Sequence, residues 1–292
     1  MIRNAAEFTF SWSLRRQEMW NCCRRKYFLH YYAARGGHDP DSGGELRRLH
    51  EMRSLLSERA YLHRLIAAEL RRRFYRPHEE EDAELPDSEA GPYGAVPGRL
   101  RREFRRMLRD EFRTDHAHPM LAALYYNSTP PGELLRELEK RLRNAMTAMS
   151  SGPLAMLART RYLFRRPIDS PLEVAVGELR CFAAPILAFE EKGVLTIVEG
   201  SGADSTVLLH KFHAANKLHI PPERVRSLEL IPGKGALRLT GKELNISRTL
   251  REIRGGAAEM LNAVRTDGTV REEDFPRNPA HCTLCRFRGH CR

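Results

Sequence analysis

Lysine is scarce in this 292-residue chain, which has seven lysines against 42 arginines. Long apolar runs are also missing: no stretch of 18 apolar residues occurs, so the sequence predicts no transmembrane helix and no membrane partner. The first eight residues lack the apolar core of a signal peptide, and we therefore expect a cytoplasmic protein. No GxGxxG or Walker pattern is present, which argues against the common nucleotide-binding folds.

Arginine dominates the charge of the chain, whose formal net charge is +11. Because the arginine guanidinium binds phosphate through two parallel hydrogen bonds, this excess favours a nucleic-acid partner. Alternatively, the arginines reflect only a coding bias and carry no function. Five arginines of a predicted basic helix are the candidate nucleic-acid contacts: Arg101, Arg102, Arg105, Arg106 and Arg109. A solvated helix face is the competing interpretation of that helix.

The hydrophobic pattern changes near residue 166. It predicts helices over 14–35, 44–75, 99–114 and 132–150, a short helix at Pro153, and a loop over 77–98. It then predicts strands over 172–179, 181–189, 194–199, 226–231 and 236–240, with helices over 205–218 and 242–265. We therefore expect an α/β (α+β) fold with a mixed central sheet flanked by helices. A helical region, 1–165, and a strand-rich region, 166–292, should form one integrated domain.

Five of the six cysteines lie near the two ends of the sequence: Cys22, Cys23, Cys282, Cys285 and Cys291. The last three form a C-x2-C-x5-C pattern, and Cys23 or Cys22 can supply a fourth thiol. Four cysteines fit zinc or an iron–sulfur cluster, and the spacing alone does not separate the two. A centre that joins positions 259 residues apart would act as a structural staple. The competing interpretation is a cysteine-rich tail without metal. Cys181, inside a predicted strand, is expected to be a small core residue.

Two segments resemble a known nuclease family. Phe10-Ser-Trp-Ser13, followed by Trp20-Asn-Cys-Cys-Arg-Arg-Lys-Tyr27, is similar to the S-x-S … C-P-R-x-Y-Y opening of the RecB-like branch of the PD-(D/E)XK nuclease superfamily. Phe275-Pro276 and the three-cysteine tail resemble the end of the same branch, which includes AddAB-type nuclease domains and CRISPR-associated iron–sulfur exonucleases. The resemblance implies a restriction-endonuclease-like core, a DNA partner, a helicase or other DNA-processing partner, and a 4Fe-4S cluster on Cys23, Cys282, Cys285 and Cys291.

The same resemblance shows that the catalytic motif of the family is incomplete. Ile186 stands where the family has its aspartate, and Ser201 stands where it has the lysine of D/E-x-K, while Glu199 keeps a carboxylate. Leu208 and Phe212 replace a glutamine and a tyrosine. The upstream histidine of the family would fall near Ala67, with His63 one turn earlier. The resemblance therefore implies a protein that keeps the fold and the cluster but has lost hydrolysis.

An active enzyme with a relocated site is the alternative. Lys211, on the helix after the Glu199 strand, could replace the missing lysine, and Glu178, Glu190 or Asp204 could supply a second carboxylate. Such an enzyme would be a metal-dependent DNA exonuclease that uses Mg²⁺ or Mn²⁺. A third class is a protein-interaction module with no nucleic-acid partner, in which the arginines are only compositional.

Overall fold

The protein is described by a computed structural model that covers residues 2–4, 9–39, 41–74, 95–115, 117–151, 164–166, 171–231, 236–241 and 243–291. The helices in these ranges are α1 (Leu14–Cys22), α2 (Arg24–Phe28), α3 (Gly44–Ser54), α4 (Glu58–Phe74), α5 (Ala95–Leu108), α6 (Ala122–Tyr125), α7 (Pro131–Ser151), α8 (Asp204–Leu218) and α9 (Ile246–Leu261). None of the described helices combines the length and apolar character needed to cross a membrane.

Strands appear at both ends of the chain as well as in the predicted region. They are β1 (Ile2–Asn4), β2 (Trp12–Ser13), β3 (Phe164–Arg166), β4 (Leu172–Val176), β5 (Leu179–Ala183), β6 (Leu187–Glu191), β7 (Val194–Glu199), β8 (Val225–Ile231), β9 (Ala236–Thr240) and β10 (Thr269–Arg271). Sequence patterning missed β1, β2, β3 and β10, because strands of two or three residues are too short to show a period-two pattern.

The largest sheet has five strands in the order β3-β6-β7-β8-β9. β7 and β8 are parallel and are joined by α8, whereas the other neighbouring strands are antiparallel. A three-stranded sheet, β2-β5-β4, contains the second parallel pair, β2 with β5. The mixed sheet flanked by helices that the sequence predicts is therefore confirmed.

The first predicted helix is interrupted at Cys23. Ser13 caps α1 by accepting a hydrogen bond from the backbone N–H of Arg16, as expected for serine at a helix start. Cys23 then adopts an extended backbone (φ −164°, ψ 113°), α2 follows, and the chain continues in a π-helical turn, Leu29–Ala33. The prediction of one continuous helix over 14–35 is therefore wrong, and the break turns the chain at a cysteine.

Two further helix boundaries differ from the prediction. The helix predicted over 44–75 is two helices, because Leu55 is extended (φ −61°, ψ 138°) and ends α3. The basic helix begins at Ala95 instead of residue 99 and ends at Leu108, after which Asp110 adopts a left-handed conformation (φ 56°). Residues 77–94 of the predicted loop and the short helix predicted at Pro153 lie outside the described residues.

The main apolar core runs through both halves of the sequence. One cluster of buried residues extends from Trp12 to Phe287 and includes helical and strand residues alike. Phe275 joins the two ends of the chain, since its ring centroid lies 5.1 Å from that of Phe28 and 6.1 Å from that of Trp20. The ranges 1–165 and 166–292 therefore share one core.

Candidate metal centre and carboxylate site

Four cysteines from opposite ends of the sequence line one cavity of about 80 Å³. They are the four that the resemblance implies: Cys23, Cys282, Cys285 and Cys291. Cys22 does not line this cavity, and Cys181 is buried in β5 as a core residue. The structure therefore brings together Cys23, rather than Cys22, and the three cysteines of the tail.

Cys23 is placed by the break between α1 and α2. Its thiol sulfur accepts a hydrogen bond from the backbone N–H of Lys26 at 3.5 Å and so caps the start of α2. The neighbouring Arg25 fixes this turn to the tail: its backbone N–H donates to the carbonyl of Pro276 at 3.1 Å, and its Nε donates to the carbonyl of Phe275 at 2.8 Å. The position of Cys23 relative to the tail thus depends on protein hydrogen bonds.

The tail cysteines lie on a series of tight turns. The Cys282 thiol donates to the carbonyl of Asn278 at 3.6 Å, and the Asn278 side-chain amide donates to the carbonyl of Cys22 at 2.9 Å. The backbone N–H of Cys285 donates to the carbonyl of Cys282, and that of Cys291 donates to the carbonyl of Phe287, each at 3.1 Å. These bonds hold the three tail cysteines around the cavity.

The thiols share a half-buried, cationic environment. Burial raises the pKa of Cys285, and the nearby Cys23 and Cys282 raise it further. Burial, followed by Cys285, raises the pKa of Cys291 to about 11. Cations also line the cavity: Arg25, Lys26, Arg277 and Arg288. Because neighbouring thiolates repel one another, deprotonating all four requires compensating positive charge, which these side chains and a metal centre can supply.

The four thiols are a donor set of the kind that binds zinc or an iron–sulfur cluster. All six cysteines are free, so no disulfide blocks the four thiols. Within the ranges that the structure describes, no three His, Cys, Asp or Glu side chains converge in a way that could hold one metal ion. Cysteine thiolates are the ligands of both 4Fe-4S and 2Fe-2S clusters.

Glu199 ends β7 as a buried carboxyl group that lacks a hydrogen-bond partner among the described residues. Its side chain is 1% exposed, and both carboxyl oxygens are unpaired in this part of the chain. Burial, followed by the charge of Glu229, raises its pKa to about 8. A buried carboxyl group without a partner is costly, and such groups concentrate at functional sites.

Glu229 lies beside Glu199 on the adjacent parallel strand, because residue 199 of β7 pairs with residue 229 of β8. Its carboxylate accepts a hydrogen bond from Nε of Arg238 at 2.7 Å. An ideal Cβ on Gly202 would lie 2.8 Å from the Glu229 Oε2 atom, so the glycine allows this carboxylate to approach the loop after β7. Glu229 could not be recognised from the sequence, because a lone glutamate in a strand looks like an outward-facing polar residue. Its place beside Glu199 depends on the parallel register of β7 and β8.

His63 comes close to the residue that follows Glu199. An ideal Cβ on Gly200 would lie 2.6 Å from Nε2 of His63, and this nitrogen is buried without a partner among the described residues. Burial and the charges of Arg59 and Arg71 lower the pKa of His63. Ala67, where the resemblance placed the histidine of the family, is a buried core residue.

The residues that stand where the family has its aspartate, glutamine and tyrosine are apolar. The residue that stands where the family has its lysine lies in the loop after β7. Ile186 is buried, and its backbone N–H donates to the carbonyl of Val198 at 2.7 Å. Leu208 is buried in α8 and Phe212 packs against the core. Ser201 lies in the turn between β7 and α8, and its hydroxyl cannot carry the positive charge of a lysine. The structure therefore shows no carboxylate at the first motif position.

Lys211 does not approach Glu199. Its ammonium donates to the carbonyls of Pro222 at 2.6 Å and Val225 at 3.2 Å. Val225 pairs with Leu195, four residues before Glu199, so the ammonium lies at the opposite end of this strand pair, about 13 Å away along the strand.

Of the three proposed second carboxylates, Glu178 is exposed in the turn between β4 and β5, and Glu190 pairs with Leu195, four residues before Glu199. Asp204 is exposed at the start of α8, five residues after Glu199. Sequence reasoning thus named Glu199 correctly as a carboxyl group at the end of a strand. Of the other residues that it named, His63 lies beside Gly200, whereas Lys211 and Glu190 lie toward the other end of the strand pair.

Most of the basic helix α5 is neutralised by acidic neighbours. Arg101 pairs with Glu139 of α7 at 2.6 Å, and Arg106 and Arg109 pair with Glu111 at 3.6 and 2.8 Å. Arg102 and Arg105 are exposed and form no ion pair with a described residue. Two of the five predicted nucleic-acid contacts therefore keep an uncompensated charge within the described structure.

Scanned against models of protein families, the chain matches none, and a search of curated proteins finds no match.

Proposed function

We propose that the protein is a catalytically inactive nuclease-fold protein of the RecB-like PD-(D/E)XK type that binds DNA. In this proposal it holds a 4Fe-4S cluster and serves as a DNA-binding or scaffold component of a DNA-processing complex, with a helicase as one candidate partner. The observation that carries the loss of activity is Ile186, which is buried in the core at the position of the first motif carboxylate. One missing carboxylate removes a metal ligand, and the replacement of lysine by Ser201 removes a transition-state cation.

The topology of the five-stranded sheet supports the family assignment. The antiparallel pair β6–β7 is followed by α8 and by β8, which is parallel to β7, and Glu199 ends β7. A core of this form is what the resemblance implies. In such an arrangement the motif residues lie at the start of β6 and at the end of β7, where Ile186 and Glu199 are found.

The four cysteines around the cavity support the cluster. Cys23 belongs to the junction of α1 and α2, while Cys282, Cys285 and Cys291 belong to the tail. When bound, the 4Fe-4S cluster would supply covalent cross-links between these two segments. The chain itself contributes the turns that orient the thiols and the cationic side chains that favour their ionised form.

A nuclease assay beside a DNA-binding titration tests this proposal. The protein is purified without oxygen, assayed for iron and sulfide, and incubated with end-labelled single- and double-stranded DNA in Mg²⁺ or Mn²⁺. We expect four iron atoms per chain, no cleavage above that of Glu199→Gln, and DNA affinity that falls steeply with salt. Protein without iron, or cleavage that Glu199→Gln abolishes, would contradict the proposal. Absence of DNA binding at low salt would leave the protein-interaction module as the better description.

An active exonuclease is the second candidate, and the pairing of Glu199 with Glu229 favours it. Two carboxyl groups at one level of adjacent strands can hold Mg²⁺ or Mn²⁺, which prefer oxygen ligands and keep several bound waters. If the protein is such an exonuclease, it should cleave DNA in Mg²⁺ or Mn²⁺. Glu199→Gln and Glu229→Gln should each abolish the cleavage, and Lys211→Met should leave it unchanged. Cleavage that survives both glutamine variants would exclude this carboxylate pair as its site.

A further inference from the structure

The charges of the basic helix are largely used within the protein. Of the seven arginines in and just after α5, Arg101, Arg106 and Arg109 pair with Glu139 and Glu111, and Arg99 pairs with Glu103. A carboxylate beside an arginine cancels most of the local positive charge, so a paired arginine attracts a polyanion less than an unpaired one does. Helix α5 is therefore a weaker site for a polyanion than its arginine count indicates.

A second basic surface surrounds the cysteine tail, and we name it the tail-loop face: Arg15, Lys26, Arg48, Arg53 and Arg288. Lys26 and Arg288 line the cysteine cavity, and the Arg48 guanidinium lies 3.5 Å from an ideal Cβ on Gly289. None of the five forms an ion pair with an acidic residue in the part of the chain that the structure describes. Arg15 and Arg48 are exposed, and the other three are half-buried.

The tail loop itself brings these cations together. Arg286 reaches into the helical half, where its guanidinium donates to the carbonyls of Arg53 at 2.6 Å and Leu55 at 3.4 Å and contacts Nδ1 of His30 at 3.1 Å. The carbonyls of Arg53 and Leu55 belong to the C-terminal end of α3, whose negative dipole favours a cation. The tail is thus held against the end of α3 and against His30, whose charged neighbours include Arg53, Arg15 and Lys26.

His30 shows how positive this region is. Burial, followed in order by the charges of Arg286, Arg53, Arg15 and Lys26, lowers its pKa to about 2. Glu45 lies 3.8 Å from His290 at the margin of the surface and is itself largely exposed. Uncompensated like charges that the fold holds near one another repel, and a bound polyanion relieves that repulsion.

We propose that the tail-loop face, rather than helix α5, binds the phosphate groups of nucleic acid. This inference rests on the proposed DNA binding and locates it. The thiolates of a bound cluster would compensate Lys26 and Arg288 first, because these two line the cavity. Arg15, Arg48 and Arg53 do not line the cavity, so their charge stays available for phosphate.

A pair of matched double variants tests the location. Arg15→Gln with Arg53→Gln removes two charges from the tail-loop face, and Arg102→Gln with Arg105→Gln removes two from α5. The contact of Arg53 with Arg286 uses its backbone carbonyl, so the glutamine variant retains it. Binding of a fluorescent 20-nucleotide DNA is measured at several salt concentrations, with iron content and melting temperature checked for each protein.

The expected result is a loss of about 10-fold in affinity for the tail-loop variant and a salt slope lower by about 2. The α5 variant should bind within about 2-fold of the unmodified protein. The opposite ranking, or equal losses in both variants, would overturn the proposed location. Failure of the unmodified protein to bind DNA would instead count against the proposed function as a whole.

Discussion

Glu199 and Glu229 pair directly across the parallel strands β7 and β8, which places their carboxyl groups on the same side of the sheet. Glu229 has Arg238 as a partner, whereas the two oxygens of Glu199 have none among the described residues. Burial, followed by the charge of Glu229, raises the pKa of Glu199 to about 8, well above the usual value for a glutamate. This asymmetry gives the site a measurable dependence on pH.

Stability should fall as pH rises from about 4.5 to about 8. The unfolded chain releases the Glu199 proton near 4.5, while the folded protein keeps it until about 8, so the folded state binds more protons across this interval. We expect Glu199→Gln, which resembles the protonated form, to raise the free energy of unfolding at pH 8 by about 4 kcal/mol and to change it little at pH 4.5. Urea unfolding at both pH values, with chelator present, measures the difference.

The position-matched control is Glu229→Gln, which removes a charged carboxylate that already has a partner. It should lower the pKa of Glu199 and flatten the pH dependence, with a smaller gain at pH 8 than Glu199→Gln gives. A stability profile of Glu199→Gln that is parallel to that of the unmodified protein would refute the raised pKa. Addition of Mg²⁺ that abolishes the pH dependence would favour the exonuclease candidate.

Lys211 is expected to act in stability rather than in catalysis. Its ammonium caps the carbonyls of Pro222 and Val225 at the start of β8, and burial lowers its pKa. Lys211→Met should therefore cost about 1 kcal/mol of stability, because two carbonyls lose a donor. Lys217→Met, on the exposed side of the same helix, is the control and should change stability by less than about 0.5 kcal/mol. Equal effects of the two substitutions would contradict this assignment.

The cysteines that line the cavity are the ones that we expect to bind iron. Serine at Cys23, Cys282, Cys285 or Cys291 should each reduce iron and sulfide content, since each removes one thiol from the cavity. Cys22→Ser, one residue from Cys23, is the matched control and should retain full iron content. Iron, sulfide and the visible absorption spectrum of anaerobically purified protein report the result. Loss of iron in Cys22→Ser with retention in Cys23→Ser would reverse the assignment.

Two adjacent glycines of α9 should respond oppositely to alanine. An ideal Cβ on Gly256 would lie 1.7 Å from Oε1 of Gln17, whereas one on Gly255 meets nothing within 4 Å. Gly255→Ala should stabilise the protein by about 0.5–1 kcal/mol through helix propensity. Gly256→Ala should destabilise it by about 1 kcal/mol, because the Gln17 amide must leave its hydrogen bonds with Trp12 and Asn21.

The variant Gln17→Ala tests whether the Gln17 side chain causes the difference between Gly255→Ala and Gly256→Ala. In Gln17→Ala, the side chain that blocks residue 256 is shortened, so Gly256→Ala should become stabilising there. Thermal unfolding of the four combinations gives the coupling energy between residues 17 and 256. A Gly256→Ala effect that is identical in both backgrounds would show that Gln17 is not the obstacle.

Sequence patterns predicted the long elements and missed the contacts between them. The run Thr196–Glu199 identified a buried strand that ends in a carboxyl group, because hydrophobicity and the Gly-Ser-Gly turn are local signals. Glu229 could not be recognised, since its role depends on the register of β8 against β7. Lys211 was assigned to the correct helix, but two turns along α8 carry it toward the start of β8 and away from Glu199.

The interruption of the helix at Cys23 also depends on a contact between residues that are distant in sequence. A continuous apolar face through Trp20, Cys23 and Tyr27 predicts one helix, and all three residues are indeed buried. The chain nevertheless unwinds at Cys23, because the Arg25 backbone bonds to Pro276 and the thiol caps α2. A partner 250 residues away in sequence leaves no local signal. The spacing of the tail cysteines, in contrast, predicted their convergence, because that convergence is local.

The aromatic contacts of Phe275 have a consequence for synthesis on the ribosome. Trp20, Tyr27 and Phe28 emerge early, but the ring that covers them follows about 250 residues later. At roughly 5–20 residues per second the nascent chain carries this aromatic surface uncovered for roughly 10 to 50 s. During that interval the N-terminal helices offer a binding site for chaperones and a risk of aggregation. A ribosome stalled before residue 275 should present a helical segment that proteases cut readily, and release of the tail should protect it.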